Sequence, residues 1–468
     1  MVRKIGIITL AMLLVFSMAS ISLAGDVPAI KYGTKLPSET AAVASDETKI
    51  KISGEIRFRH RYEHDAKYQL EDSKLDEAGI ATTGSETNVH RSWFDTRVRL
   101  QLEAQVSEFV KGVVELQTGT NNTENLVWGN NGNNGEATGL YKEGNFATGE
   151  FWIRQAWVGY DRYGYGLKVG HQLVKLGGGQ YLDHSKFGDD AILIYAQPTK
   201  YALFGFLYSR FTENDQFRSD NTNFYVGLAS YKGSNYSVSG DISYLDDQEP
   251  LNTAYENQHI WNIGVQGDVK LNPVTFRGDF EAQQGEVDLI TPRADGDEDM
   301  DIDAYAGLLG IDWQVGPSKI TVEGAIGTGD DDANDDDLET YITSLSTDPH
   351  YTYVYEYRLK TAAGVTNSGL SNTGYVKFGA ETDLMPKILK GQLNLFWLRA
   401  VEEVALNNGS DVSHELGWEI DGKLTYNFAK NLNYFIEGGF MFVGDAYEYP
   451  VAGKDDAYYV ANGIMLKF

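Results

Sequence analysis

No cysteine occurs anywhere in the 468 residues. Disulfides, thiolate nucleophiles and thioether-linked haem are therefore excluded within this chain. Proline is scarce, with 10 residues, and no Pro- or Ser-rich linker divides the chain into separate domains. After the first 24 residues there is no long apolar run, and the mean hydropathy is −0.35. Positive charge is also short, with 39 Lys and Arg against 67 Asp and Glu for a net −28. That balance argues against a nucleic-acid partner, because neutralising phosphates needs clustered Lys and Arg. The eight His are scattered, at 60, 64, 90, 171, 184, 259, 350 and 414. No H-E-x-x-H or G-x-S-x-G motif accompanies them, so no enzyme chemistry is expected.

What the chain does have is a rhythm. Segments of about ten alternating residues are joined by connections that are short, then long, then short again. The short ones are Ser107-Glu108, Asp161–Gly164, Pro198–Lys200, Gly233–Asn235, Asn272-Pro273, Gly316-Pro317, Pro386-Lys387 and Ala429–Asn431. Each is followed by a longer Asp-, Asn- and Gly-rich excursion. Soluble sandwiches have no reason to sort loop lengths this way. A transmembrane barrel does, with tight periplasmic turns and long outer loops. A barrel strand needs only about 9–11 residues with every second side chain facing lipid, so its hydropathy averages toward zero. The predicted fold is all-β: an antiparallel up-and-down transmembrane barrel over 49–468, of about eighteen strands (16–18).

The ends of the chain agree. Met1–Ala24 reads as a signal peptide: Arg3 and Lys4, the apolar Ile5–Ile21, then Ser22-Leu23-Ala24 as a cleavage site. Residues 25–48 are expected to be a flexible periplasmic lead-in. At the other end Tyr458, Val460, Ile464, Leu466 and Phe468 alternate with Tyr459, Ala461, Gly463, Met465 and Lys467. This resembles the last strand of outer-membrane barrels, whose terminal aromatic residue is the signal read by the assembly machinery; Phe468 takes that role. The expected location is the outer membrane of a Gram-negative bacterium, with its lipid as one partner. A homo-oligomer is left open.

Alternation assigns faces. Ile50, Ile52, Ile56 and Phe58 share one face of the first strand; Lys51, Ser53, Glu55, Arg57, Arg59 and Arg61 share the other. Val98, Leu100, Leu102 and Ala104 alternate with Arg97, Arg99, Gln101 and Glu103. Leu416, Trp418, Ile420, Leu424 and Tyr426 alternate with Glu415, Gly417, Glu419, Asp421, Lys423 and Thr425. Charges at every second position are costly toward lipid and equally costly in a dry sandwich core. A water-filled lumen accepts them. A soluble sheet with one wet face is the competing reading.

Selectivity then rests on the lumen. The predicted inner basic residues are Lys51, Arg57, Arg59, Arg97, Arg99, Arg154, Lys168 and Arg277, concentrated in the first half. Glu55, Asp95, Glu103, Glu115, Asp279, Glu281, Glu415, Glu419 and Asp421 occupy the same faces. A ladder for anions and a network of interior ion pairs are equally compatible with that mixture. Two acidic runs stand in outer loops. Asp330, Asp331, Asp332, Asp335, Asp336 and Asp337, with Asn334, could offer Ca²⁺ the oxygen ligands it prefers, although the spacing is not that of an EF-hand. The run Asp295–Asp303 is similar. No other cofactor is expected.

Ile153-Arg154-Gln155-Ala156-Trp157 resembles the "Leu-Arg-Gln-Ala-Tyr" strand of the alginate-export type of outer-membrane barrel. Leu167–Leu173, followed by Gly177-Gly178-Gly179, is similar to its "Gly-Arg-Gln" strand and the glycine-containing loop after it. Phe187-Gly188-Asp189-Asp190-Ala191 resembles its Phe-Asp lead into the next strand, and Gly327–Asp332 its Gly-Asp-rich loop. His171 departs from the pattern, where the family usually has Arg. The resemblance covers about a fifth of the chain. It implies a barrel, and export of an anionic polysaccharide in some members.

The leading expectation is a porin-like channel for small polar or ionic solutes. The alternatives are an export conduit for an anionic polysaccharide guided by Arg57, Arg59, Arg97, Arg99 and Arg154, or a scaffold holding a periplasmic partner such as a multihaem electron carrier. Whether the long loops at Gly119–Gly149 and Thr328–Ser371 fold inward is not legible from spacing.

Overall fold

A computed structural model describes residues 40–43, 48–64, 90–119, 126–127, 150–213, 221–248, 250, 254–292, 296–332, 335–343, 351–359, 369–405, 412–447 and 456–468. Residues 1–24, expected to be a signal peptide, 25–39 and 44–47 of the expected lead-in, most of the Gly119–Gly149 loop, Asp295 and Asn334 lie outside them. Eighteen long strands follow in order: β1 Lys49–His64, β2 His90–Gln105, β3 Val110–Gly119, β4 Glu150–Arg162, β5 Tyr165–Gln172, β6 Asp189–Thr199, β7 Ala202–Glu213, β8 Asn221–Lys232, β9 Tyr236–Asp247. They continue as β10 Tyr255–Leu271, β11 Val274–Leu289, β12 Asp299–Val315, β13 Ser318–Gly327, β14 Thr373–Met385, β15 Leu389–Ala405, β16 Val412–Ala429, β17 Leu432–Val443 and β18 Ala457–Lys467. Every strand pairs antiparallel with its sequence neighbours. β18 pairs back onto β1, from Glu55↔Lys467 to His64↔Tyr458. The sheet therefore closes, which removes the free edges that an open sheet would expose. Three short segments join it: Thr40–Val43 pairs with β1, Leu126–Val127 with β2, and Asp337–Leu338 runs parallel to β12.

Connections segregate as the loop lengths predict. Those at one end run from 106–109 to 430–431 and none exceeds four residues; those at the other end include 328–372. Both termini of the barrel fall at the short-turn end. There Phe468 closes onto β1, exchanging backbone hydrogen bonds with Gly54 at 2.8 and 3.0 Å.

The outer surface is apolar and ringed by aromatics. Tyr208, Tyr225, Tyr244 and Trp261 lie side by side across β7–β10, with ring centroids 5.3, 6.4 and 4.7 Å apart. Tyr201, Tyr231 and Tyr236 stack close to the short turns. Six residues separate Tyr225 from Tyr231 along β8, about 20 Å at the rise of a strand. That spacing suits two aromatic girdles bordering the lipid band.

The alternation predicted for β1, β2 and β18 holds. Ser53, Glu55, Arg57, Arg59, Arg97, Arg99, Gln101 and Glu103 line the lumen, while Val460, Ile464 and Leu466 face outward. β16 departs from it. Gly417, at φ 127°, forms a bulge where Leu398 pairs with Gly417 and Arg399 with Glu415. A bulge inserts one residue and reverses the phase of the strand beyond it. Leu416 is therefore buried inside and Glu415 is exposed, opposite to the faces expected from simple alternation.

The hydrophobic core lies inside the barrel, in two clusters. In one, Val174, Leu176, Tyr181 and Leu182 of the β5–β6 connection pack on Leu207, Phe224, Val226, Leu245, Ile260, Val287 and Ile302. In the other, Tyr341, Val354, Tyr355, Leu359 and Leu370 of the β13–β14 connection pack on Tyr375, Phe396, Leu398, Leu416, Met441 and Tyr459. Each fully buried side chain of this size contributes about 1.5–3 kcal/mol relative to exposure, so both segments are anchored against the wall. Of the Thr328–Ser371 connection, residues 341–343, 351–359 and 369–371 thus fold inward, while Asp331, Asp332 and Asp336 of the acidic run stay exposed.

Candidate functional site

The inward segments cover part of the wall on the β6–β18 side. What remains is a cavity of about 2560 Å³, lined by β1–β5, by the uncovered parts of β6–β11 and by one or two residues each of β12–β14, β17 and β18. That wall presents seven basic side chains, Arg57, Arg59, Arg97, Arg99, Lys111, Arg154 and Lys168. Five acidic ones stand with them: Glu55, Glu103, Glu108, Glu115 and Asp161. Arg277 enters from β11, and Lys51, the other predicted lumen cation, is not among the residues that line the cavity.

Many of these charges are paired. Arg97 donates to Glu55 at 2.6 Å, both nearly buried. Arg59 and Arg61 share Asp95, whose side chain is fully buried. Lys111 pairs with Glu103 at 3.0 Å, Arg99 donates to Gln117, and Arg277 bridges Glu323 and Asp312. Arg154 donates to both Glu115 oxygens at 2.8 Å and to the Lys186 carbonyl at 3.2 Å. It also reaches the Ser185 carbonyl, so one guanidinium ties β3 and β4 to the inward β5–β6 segment. Its planar fork of donors makes this double role possible. Of the two arrangements open in the sequence, the interior is closer to an ion-pair network with a basic excess than to a bare ladder.

Lys168 differs. Its ammonium lies 4.3 Å above the Trp157 ring, and Lys111 approaches the same ring at 5.5 Å. Lys111 and Trp157 are lumen residues that the reading of faces did not single out. Both sit on the inner side of the alternation (Lys111, Val113, Glu115), which was the signal available.

The β13–β14 segment is tied by carboxylates. Glu419, completely buried, accepts backbone N–H bonds from Tyr353, Val354 and Tyr355 at 2.7, 2.6 and 2.8 Å. These hold the single helical turn Tyr355–Arg358 against β16. Glu356, also completely buried, accepts from Tyr351 and Gly369 at 2.8 and 3.0 Å. Tyr351, Thr352 and Tyr353 border the cavity. His171, where the motif departs from Arg, bonds Asp190 at 2.9 Å and the Phe187 carbonyl at 3.0 Å through its two ring nitrogens.

The acidic run beyond β13 folds on itself. Asp330 accepts from the Asp332 N–H at 3.2 Å, and Asp335 from the Asp337 N–H at 3.1 Å. Partial burial, with Asp335, Asp331 and Asp332 alongside, raises the Asp330 carboxyl above its ordinary range. Burial and Asp331 and Asp330 do the same to Glu339. These side chains cap their own turn, in the manner of Asx turns.

Comparison with known proteins places the barrel. A model of the alginate export family matches residues 54–456. No curated protein matches the chain significantly. Among solved structures, OccAB1 of Acinetobacter baumannii is similar at a TM-score of 0.52 and 15% identity, over 93% of this chain and all of that one. OpdK of Pseudomonas aeruginosa, solved with vanillate, has a TM-score of 0.53 at 11% identity, over 89% and 98%. OccK11 of the same organism has 0.51 at 11%, over 89% and 96%. These likenesses concern the fold. With the family match spanning most of the barrel and the strand ring closed, the chain belongs to the alginate export family of outer-membrane β-barrels.

Proposed function

We propose that this protein is a porin-like outer-membrane channel for small polar solutes, with a preference for anions. The observation that carries the reading is the β1–β5 wall, where seven basic side chains stand with five acidic ones in a chain that is acidic overall. Fixed charge lining a narrow aqueous path raises the local concentration of the opposite ion and sets selectivity. The inward segments narrow the lumen, and β1–β5 form one side of the path that is left, so a solute passes beside these cations. Export of an anionic polysaccharide is the second reading. Family membership favours it, and the same wall would guide the polymer. The scaffold reading finds less support, because the chain's own segments take up lumen space.

The test is the reversal potential of the detergent-purified protein in a planar bilayer under a salt gradient. Anion preference that fades as ionic strength rises supports the proposal. Cation preference would overturn it. Liposome swelling with neutral sugars, monomeric uronates and uronate oligomers then separates the small-solute reading from the polymer one.

A further inference from the structure

Under the inward β5–β6 segment, β9, β10 and β11 bring three carboxylates together. Asp241 pairs across the sheet with Gly264, and Gly264 with Glu281, so Asp241 and Glu281 stand at one height on the inner wall. Gly264 has no side chain, and that opens the space between the two acids. A Cβ there would lie 2.6 Å from Glu281 Oε2 and 3.0 Å from Asp241 Oδ1. Asp279 is two residues along β11 on the same face, and accepts the Gly178 N–H at 2.8 Å. The inward segment thus roofs the cluster with Gly177 and Gly178.

A second, independent feature points to a ligand. Asn262, completely buried, donates its amide to Glu281 Oε2 at 2.8 Å, while its carbonyl oxygen has no partner. The hydroxyls of Tyr181 and Tyr341, on the two inward segments, are completely buried and likewise without partners. Burial and the nearby Glu281 and Asp241 carboxylates raise both phenols above their ordinary range. One oxygen each of Asp241, Asp279 and Glu281 is also buried and unbonded. Buried polar atoms are normally satisfied, and orphans gathered in one place call for an explanation. Lys175, the nearest cation on the segment, is committed to Asp183 at 2.6 Å.

We propose that Asp241, Asp279, Glu281 and the Asn262 carbonyl form a site for a calcium-like divalent cation that clamps the β5–β6 segment to the barrel wall. The donors are all oxygens, the set hard cations take, and Ca²⁺ tolerates the irregular geometry of a wall and a loop. As they stand, no three acidic or His side chains among the described residues are close enough to hold a metal ion, so the site requires the carboxylates to draw together around it. A doubly charged ion reverses the repulsion between them. The site is distinct from the Asp330–Asp337 run, whose carboxylates cap their own backbone.

The experiment is equilibrium dialysis of full-length, detergent-folded protein against radioactive ⁴⁵Ca²⁺ at pH 8, with folding checked by heat-modifiable gel mobility. One saturable site per chain is expected. In D241N/E281Q it should weaken at least about 100-fold, the upper end of what losing even an outer-sphere partner costs. In D330N/D332N/D335N it should remain. Binding unchanged in D241N/E281Q, binding abolished by the outer-run variant alone, or no saturable binding would each overturn the proposal. If D241N/E281Q does not fold, D279N carries the test. It removes one ligand and should weaken the site at least about tenfold; unchanged affinity would refute it.

Discussion

Replacing Glu419 with alanine isolates the contribution of one buried carboxylate to the width of the channel. Glu419 accepts three backbone N–H bonds, from Tyr353, Val354 and Tyr355, at 2.6–2.8 Å. Each donor left without an acceptor in a buried place costs about 1–3 kcal/mol. The Tyr353 N–H keeps a second acceptor in Asp421 at 3.2 Å, and lumen water will satisfy part of the rest once the segment shifts, so the lower end applies, about 2–3 kcal/mol for the other two. At about 1.4 kcal/mol per decade, the docked-to-undocked ratio falls by about 30–100-fold. The strand ladder does not involve this side chain, so the barrel itself should persist. In a planar bilayer E419A should show a larger mean conductance than the parent, with slow flicker between levels. Limited proteolysis should cut near 351–359 sooner. E419Q, which keeps one acceptor oxygen, should fall between the two. A folded E419A barrel with parental conductance and parental protease resistance would refute the reasoning, because it would mean the segment neither depends on Glu419 nor narrows the path.

The other predictions concern the wall and the bulge. E55Q removes the charge that Arg97 faces at 2.6 Å, so the reversal potential should shift further toward anions; a shift toward cations would contradict the basic-wall account. R154A breaks the pair with Glu115 and releases the Ser185 and Lys186 carbonyls. Losing one partner of a buried pair costs about 3–5 kcal/mol, so the β5–β6 segment should become protease-sensitive, and an unaltered digest would count against the tie. G417A places a Cβ 2.1 Å from the Phe442 carbonyl at a positive φ, whereas G422A meets nothing within 4 Å. Urea titration should find the first destabilised by at least about 1–3 kcal/mol and the second near neutral; equal midpoints would refute the bulge argument.

Strand number, the sorting of turns and the faces of the first two strands were legible because each rests on local chemistry. Asn272-Pro273, Gly316-Pro317 and Pro386-Lys387 mark turns by backbone restriction. Arg57 and Arg99 mark the lumen because lipid would not accept them. The reversal at Gly417 was not legible, since a bulge changes the alternation without changing composition. The inward segments were hidden for a different reason. Val174, Leu176, Tyr181 and Leu182 are spread among glycines and charges, so the segment looks like any polar loop. The available hint lay in the wall they cover. Phe224-Tyr225-Val226 and Phe396-Trp397-Leu398 are apolar on both faces, one toward lipid and the other toward a segment that docks there. The carboxylate cluster needed the register itself, because only pairing across β9–β11 sets Asp241 and Glu281 either side of Gly264.

The central claim is that solutes pass along the β1–β5 wall, and the absence of native cysteine makes it directly testable. Single cysteines at Gln101, Lys111 and Gln155 would face the lumen, and at Val114 and Val158, which are 42% and 61% exposed, they would face lipid. Each variant would be recorded in a planar bilayer while a charged methanethiosulfonate reagent is added. The account predicts stepwise current changes at 101, 111 and 155, opposite in sign for cationic and anionic reagents, and none at 114 and 158. Current that is indifferent to modification at all three lumen positions would contradict it.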